Sequence, residues 1–350
     1  MKHHLDPLLR PRSVAVVGAS ARTDSLGEWA LRNLGLGGYP GHIYPVNPNY
    51  DELQGHRCYA SLADLPETPD LVIFAVGDPR IEDSLDEAIV AGVPAAVLQS
   101  TLYLDDDSDP PLRERVRAKI QASGMLVCGA NGMGFYNVRD HVWTCGFDST
   151  SHEAPGNVAL ISHSGSGMSG IIDCDERVRI NVAVSTGNEL GVTMDEYLDF
   201  VLDRPETRVV GLFVETARNP GGFAAALAKA AERRIPVVAL KVGRTEKSAA
   251  LAVSHSGAMA GDDATYEALF DRYGVQRARD QDEFTTMLIM FAEMHPVGAG
   301  GLVTLHDSGG ERQLLVDLAD DADVPLTELT DKTIAALEEV LEPELPAINP

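Results

Sequence analysis

The 350-residue chain reads as an α/β protein built on doubly wound parallel sheets, and three observations point there. Short apolar runs alternate with longer amphipathic stretches along most of its length, the pattern of strands linked by helical crossovers. The runs are apolar almost throughout rather than at alternate positions, as in strands buried on both faces. A polar, turn-rich stretch, "DSTSHEAPGN" at 148–157, separates two such series.

In the first series "SVAVVGAS" (13–20) is a strand running into a small-residue turn, and a helix is expected from about Leu26 to Leu34. "HIYPVNP", "DLVIFAVG" (70–77) and "AAVLQS" (95–100) follow as strands, with the helix "RIEDSLDEAIVAG" between the last two. The acidic stretch 105–122 bears a further helix, and "MLVCGANGMGFYN" closes the series. The second series contains the strands "NVALIS", "INVAVSTG", "VVGLFVET" and "PVVALKVG" and ends in the helices "DATYEALFDRYG" and "DEFTTMLIMFAEM". A third opens with "GLVTLHDSGGERQLLVDLA" and runs only to "LPAINP". About fifty residues is short for another domain of this kind, so a continuation or a partner is expected to complete it. The expected domains are 1–150, 151–296 and 297–350.

Composition narrows the function classes. The net charge of −25, from 53 acidic against 28 basic residues, repels nucleic acid and anionic membrane surfaces, so neither is expected as a partner. No apolar run approaches a membrane span and the start lacks a signal-peptide core. The four cysteines show no paired spacing, which points to reduced thiols in a cytoplasmic protein and to no metal site. An anionic ligand therefore has to be held by local devices such as helix N-termini.

Two turns are candidates. "VVGASART" has one glycine of the three in a dinucleotide fingerprint: Gly18 is followed by Ser20 and Thr23 where the others belong. The second strand ends in Pro45-Val46-Asn47-Pro48 rather than an acidic residue, so NAD is disfavoured, and Gly18-Ala19-Ser20 reads either as a diphosphate cradle or as a plain tight turn. The tetrapeptide Ser-His-Ser-Gly occurs at 162–165 and again at 254–257. The first copy follows a strand directly and opens a helix, a place suited to anions. The second lies on the long loop after "PVVALKVG"; His255 there reads as an ordinary loop histidine or as a mobile nucleophile.

"LLRPRSVAVVGAS", "YPVNPNYDELQG", "DLVIFAV" and "CGANGMGFYN" resemble the CoA-binding domain of the nucleoside-diphosphate-forming acyl-CoA synthetases, in the succinyl-CoA synthetase superfamily. The resemblance continues in order through "VALISHSGSG", "STGNELGVTMDEYLDFVLDRPETRVVGLFVE" and "KVGRTEKSAALAVSHSGAMAGDDATYEALF" to the end of the chain. It implies a Rossmann-like CoA-binding domain, then a flavodoxin-like parallel-sheet domain, then the start of a second such domain.

It also implies roles. His255 matches the histidine that the family phosphorylates, and Glu215 the glutamate that supports it. Phosphate is expected at Ser162, Ser164, Gly165 and Gly257. CoA is expected with its diphosphate near Gly18, Ala19 and Ser20, its adenosine side near Tyr44, Pro45, Val46 and Asn47, and its pantetheine arm towards Val76 and Asn131, at neighbouring strand ends. Two departures stand out. His163 occupies a position where the family carries glutamine, and the family's Gly-Pro-Asn-Cys loop reads Gly129-Ala130-Asn131-Gly132. Nothing resembles an ATP-grasp domain, so ATP or ADP with Mg is expected on a partner subunit or a further domain, in an oligomeric ligase acting on CoA and a small carboxylic acid. The rivals are a non-catalytic CoA-binding regulatory or scaffold protein and an NAD-dependent dehydrogenase.

Overall fold

The computed structural model describes residues 2–147, 154–248, 262–294, 300–342, 345 and 347–349. The chain forms two compact units, 1–293 and 294–350. His255 and Gly257 lie outside the described residues.

The first sheet holds β1 (Ser13–Val17), β2 (His42–Val46), β5 (Leu71–Phe74), β6 (Ala95–Leu98) and β7 (Leu126–Gly129) in the order β2-β1-β5-β6-β7. All four pairings are parallel. The near-unbroken burial of β1, β5 and β6 explains their continuous apolar runs. The crossovers are α2 (Leu26–Leu36), α3 (Asp78–Val90) and α4 (Leu112–Ser123). Helix α3 shows how its sequence specifies it: Pro79 sits in the first turn, and Ile81, Leu85 and Ala88 form one buried stripe. A short α1 (Asp6–Leu9) and a two-stranded hairpin, β3 (Glu52–Leu53) with β4 (His56–Arg57), complete this part.

The second sheet runs β14-β13-β12-β10-β11-β8-β9. Its parallel part is β10 (Val158–Ser162), β11 (Ile180–Ser185), β12 (Val209–Val214), β13 (Val237–Lys241) and β14 (Gln276–Ala278). The antiparallel edge is β8 (Gly134–Asn137) with β9 (Val142–Trp143), and β8 pairs with β11. The sequence reading places "GMGFYN" in the first domain, ahead of a boundary at 148–157. In the structure those residues build the second sheet, so the ladder extends across that boundary. Flanking helices are α5 (Gly165–Cys174), α6 (Met194–Leu202), α7 (Pro220–Arg233), α8 (Asp263–Tyr273) and α9 (Gln281–Glu293). Thr193 and Glu196 close a capping box on α6. One apolar core joins Leu9, Val14 and Leu34 to Ile161, Val184, Leu198 and Leu227, so both sheets share it.

In the second unit a parallel bridge joins Leu302 to Leu326, beside α10 (Gly309–Asp321) and α11 (Asp331–Glu338). Leu305, Leu314 and Leu318 are exposed there.

Candidate functional site

The two sheets meet by their carboxyl edges. The N–H groups of Asn188 and Leu190, in the loop after β11, donate to the carbonyls of Ala130 and Gly129 at the end of β7, at 2.7 and 2.8 Å. Gly187 makes this approach possible. Its φ is +56°, and a Cβ there would stand 2.2 Å from the Ala130 carbonyl oxygen. The seam therefore brings together the two edges where doubly wound sheets bind ligands.

On the first edge, Gly18 has φ +87° and a Cβ on it would meet the Ala75 carbonyl at 2.5 Å and Val76 Cγ1 at 2.8 Å. A Cβ on Gly27, in the first turn of α2, would come within 2.2 Å of the Gly18 carbonyl oxygen. Gly27 thus performs the helix-packing task of a later fingerprint glycine, displaced along the sequence by the insert "ARTDSL". The fingerprint spacing alone does not reveal it; its sequence signal is a glycine just inside the Ser25 N-cap.

Asn47 donates from Nδ2 to the Ala19 carbonyl at 2.7 Å and accepts from the Asn49 N–H at 3.0 Å, so it braces the Gly18-Ala19-Ser20 turn. Tyr44 donates to Glu67 at 2.8 Å, and burial, followed by that hydrogen bond, pushes its phenol up to about 12. Pro45 and Val46 are in β2, and Val46 is buried.

Val76 and Asn131 share this edge but are not at neighbouring strands, because β6 stands between β5 and β7. What links them is Asp78. It accepts from the Ser100 hydroxyl, from Thr101 Oγ1 at 2.7 Å and from the Tyr103 N–H at 3.0 Å, while the Asn131 N–H donates to the Ser100 carbonyl. Burial opposes the charge of Asp78, yet the hydrogen bonds hold its carboxyl below the ordinary value.

On the second edge, Ser162 ends β10 and Ser164 caps α5. Ser164 Oγ accepts from the Gly167 N–H at 3.0 Å, and Ser162 Oγ donates to the Ser164 carbonyl at 2.7 Å. The N–H groups of Gly165 and Ser166 head the helix, where no intrahelical acceptor exists.

His163 is buried. Its Nδ1 accepts from the Glu215 N–H at 3.2 Å, and its Nε2 lies 3.0 Å from Glu189 Oε1 without forming a hydrogen bond to it. The Glu189 side chain is 0% exposed and stands 3.8 Å from Arg218 Nε. Glu189 and Arg218 were not singled out in the sequence; the glutamate in "STGNEL" carried no recognised motif.

Glu215 follows β12, and its charge acts on both Arg218 and Lys241. Lys241 ends β13 with its ammonium over the Tyr266 ring, 4.6 Å from the centroid. Burial lowers its pKa, while Asp263 and Glu215 act in the opposite sense.

Comparison with known proteins follows the same division. Residues 12–137 match the CoA binding domain model, and residues 155–291 match the succinyl-CoA ligase like flavodoxin domain. The chain is 32% identical, over 99% of its length and 50% of the relative's, to trans-feruloyl-CoA synthase FCS1 of an unidentified prokaryote. It is 30% identical, over 99% of its length and 75% of the relative's, to the alpha subunit of ADP-forming acetate–CoA ligase II from Pyrococcus furiosus. The chain belongs to the ADP-forming acetate–CoA ligase family.

The family's solved structures agree. Dinucleotide-forming acetyl-coenzyme A synthetase 1 of Ca. Korarchaeum cryptofilum, in complex with phosphate and ADP, superposes with a TM-score of 0.87 at 28% identity. That match covers 99% of this chain and 75% of the other. The chain spans about half the length of the first curated relatives it matches. Among the described residues no helix is long and apolar enough to cross a membrane.

Proposed function

We propose that this chain is the CoA-binding and phosphoryl-carrying portion of an acid–CoA ligase that forms a nucleoside diphosphate. The observation that supports this most is the seam: a CoA-type turn edge and a phosphate-type helix N-terminus belong to sheets whose carboxyl edges are joined by the Asn188 and Leu190 hydrogen bonds. Such a chemistry needs thiol and phosphoryl group to meet.

In the ligase direction, a nitrogen of His255 attacks the γ-phosphorus of the nucleotide on an ATP-grasp domain or partner subunit. An N–P bond forms as the P–O bond to the diphosphate breaks. A carboxylate oxygen of the acid then takes the phosphoryl group, releasing the imidazole and giving an acyl phosphate. The CoA thiol, losing its proton, attacks the acyl carbon, and inorganic phosphate leaves. Glu215 orients the other imidazole nitrogen; Ser162, Ser164 and Gly165 at the α5 N-terminus, together with Gly257, stabilise the transferring phosphoryl charge. Gly18, Ala19, Ser20, Tyr44, Pro45, Val46, Asn47, Val76 and Asn131 line the CoA path. The acid is small; acetate and trans-ferulate in the relatives' names mark its range.

The test is phosphate incorporation from γ-labelled nucleotide with an ATP-grasp subunit supplied. His255→Ala should reduce acid-labile label to background, because alanine has no nitrogen to accept it. Label retained in that variant would remove His255 from the relay.

A further inference from the structure

Glu189 stands in a backbone conformation that its side chain does not favour. Its φ is +49°, in the left-handed region that glycine occupies freely and other residues seldom do. Its neighbours impose this, because the N–H groups of Asn188 and Leu190 are both bonded to the end of β7. Such strain persists where the surroundings over-determine it, and it collects at functional sites. Here it sets a carboxylate with 0% exposure against the equally hidden ring of His163, with Glu189 Oε1 3.0 Å from Nε2. Arg218 Nε, 3.8 Å from the other oxygen, supplies the opposite charge.

The other nitrogen of that ring gives the contact its consequence. His163 Nδ1 has two neighbours, the Glu215 N–H at 3.2 Å and the Phe213 carbonyl at 3.3 Å. The Phe213 carbonyl already accepts the His163 backbone N–H at 3.1 Å. The Glu215 N–H has no other acceptor among the described residues. A bare Nδ1 therefore satisfies both groups, which leaves the ring proton on Nε2, and a carboxylate beside Nε2 favours that tautomer. The same peptide unit is held at its other end, where the Val214 carbonyl accepts from the Val242 N–H at 3.0 Å. The plane from which the Glu215 side chain departs is thus fixed on both sides.

We propose that His163 and Glu189 are positioning residues for Glu215: Glu189 fixes the tautomer of His163, and the bare Nδ1 of His163 fixes the peptide that carries Glu215. They act through Glu215 rather than on the reacting atoms. The proposal rests on the reading of Glu215 as the residue that orients the His255 imidazole. It gives the seam a second task, since the hydrogen bonds that join the two sheets also aim Glu189.

The experiment has two readouts. The first is nitrogen-15 NMR of the histidine rings in the native chain, with His163 assigned by its disappearance in His163→Gln. A proton-bearing Nε2 and a bare Nδ1 are expected, and Glu189→Gln should turn this into a mixture of both tautomers. A proton on Nδ1 in the native chain, or an unchanged tautomer in Glu189→Gln, overturns the proposal. The second is the initial rate of His255 labelling with an ATP-grasp subunit supplied. His163→Leu, which fills the space without a nitrogen, should slow it by about tenfold to a hundredfold, the usual loss when a supporting group is removed. His163→Gln, whose amide oxygen can again accept the Glu215 N–H, should recover the rate to within about threefold of native. A native rate in His163→Leu, or equal slowing in both His163 variants, overturns the proposal. CoA titration should be unchanged in every variant, which shows that each is folded. Should His163→Leu fail that check, the native tautomer and its response to Glu189→Gln decide. Label retained in His255→Ala would remove the relay without touching the tautomer result, so the two readings fail separately.

Discussion

The carboxyl edges of the two sheets face each other across one seam, yet they are finished in different ways. At the first edge most polar groups satisfy one another: Asp78 takes three hydrogen bonds and Asn47 braces the Gly18 turn, with the buried Gln99 Oε1 the exception. At the second, buried atoms of His163, Thr186, Glu189 and Arg218 are left without hydrogen-bond partners. An unmet buried donor or acceptor costs about 1–3 kcal/mol. A closed network therefore suits an edge whose backbone cradles a ligand. An open one suits an edge that completes its electrostatics when an anion arrives. Preorganised and unsatisfied donors are also what phosphoryl chemistry uses.

Four substitutions or measurements sharpen or break this contrast. The largest effect is expected at Glu189. Glu189→Ala strands the Arg218 charge in a buried setting, and breaking such a pair typically costs about 3–5 kcal/mol. Urea unfolding should show this as a lower midpoint at unchanged slope; a loss under about 1 kcal/mol would mean that the second edge is not under electrostatic tension. Gly18→Ala is expected next, at about 2–3 kcal/mol, because a Cβ would meet the Ala75 carbonyl in a left-handed backbone conformation. Loss of CoA binding in titration should accompany it, and unaltered stability would show that the turn relaxes freely.

Asp78→Ala should cost about 1–3 kcal/mol, the penalty for leaving its hydroxyl and N–H donors unmatched. That is less than Glu189→Ala, and the reverse order would invert the comparison.

The smallest effect concerns the floor of the seam, where the buried Cys128 thiol faces the Ser185 carbonyl at 3.6 Å. Burial raises it from the usual 9.0 to about 12. The folded pKa is above the unfolded one, so this thiol's contribution is fully present below pH 9 and is lost as pH rises towards 12. At pH 9 the loss is about 0.4 kcal/mol. Thiol labelling of the native chain near pH 8 should find Cys174 reactive and Cys128 protected; rapid reaction at Cys128 would show the two edges parting in solution.

Much of this molecule was legible in its residues. Strands β1, β5, β6 and β10 to β13 were readable because burial on both faces writes continuous apolar runs. Helices α3 and α8 were readable from their periodicity and end signals, and the family from motifs in order along the whole chain. The Gly18 turn and the Ser162–Gly165 loop were found because a small-residue break between strand and helix is a local signal.

Other features depend on partners distant in sequence, and only the tertiary structure decided them. "GMGFYN" carries no mark that its ladder partner is β11, about fifty residues on, since strand pairing is set by which edge is free when the sheets dock. Gly27 acquires its role only when α2 lies on Gly18. Glu189 and Arg218 come from separate loops, each unremarkable alone, and meet at the buried His163 only in the folded chain. Their meaning is electrostatic, and electrostatics depends on distance and burial, which a one-dimensional pattern does not contain.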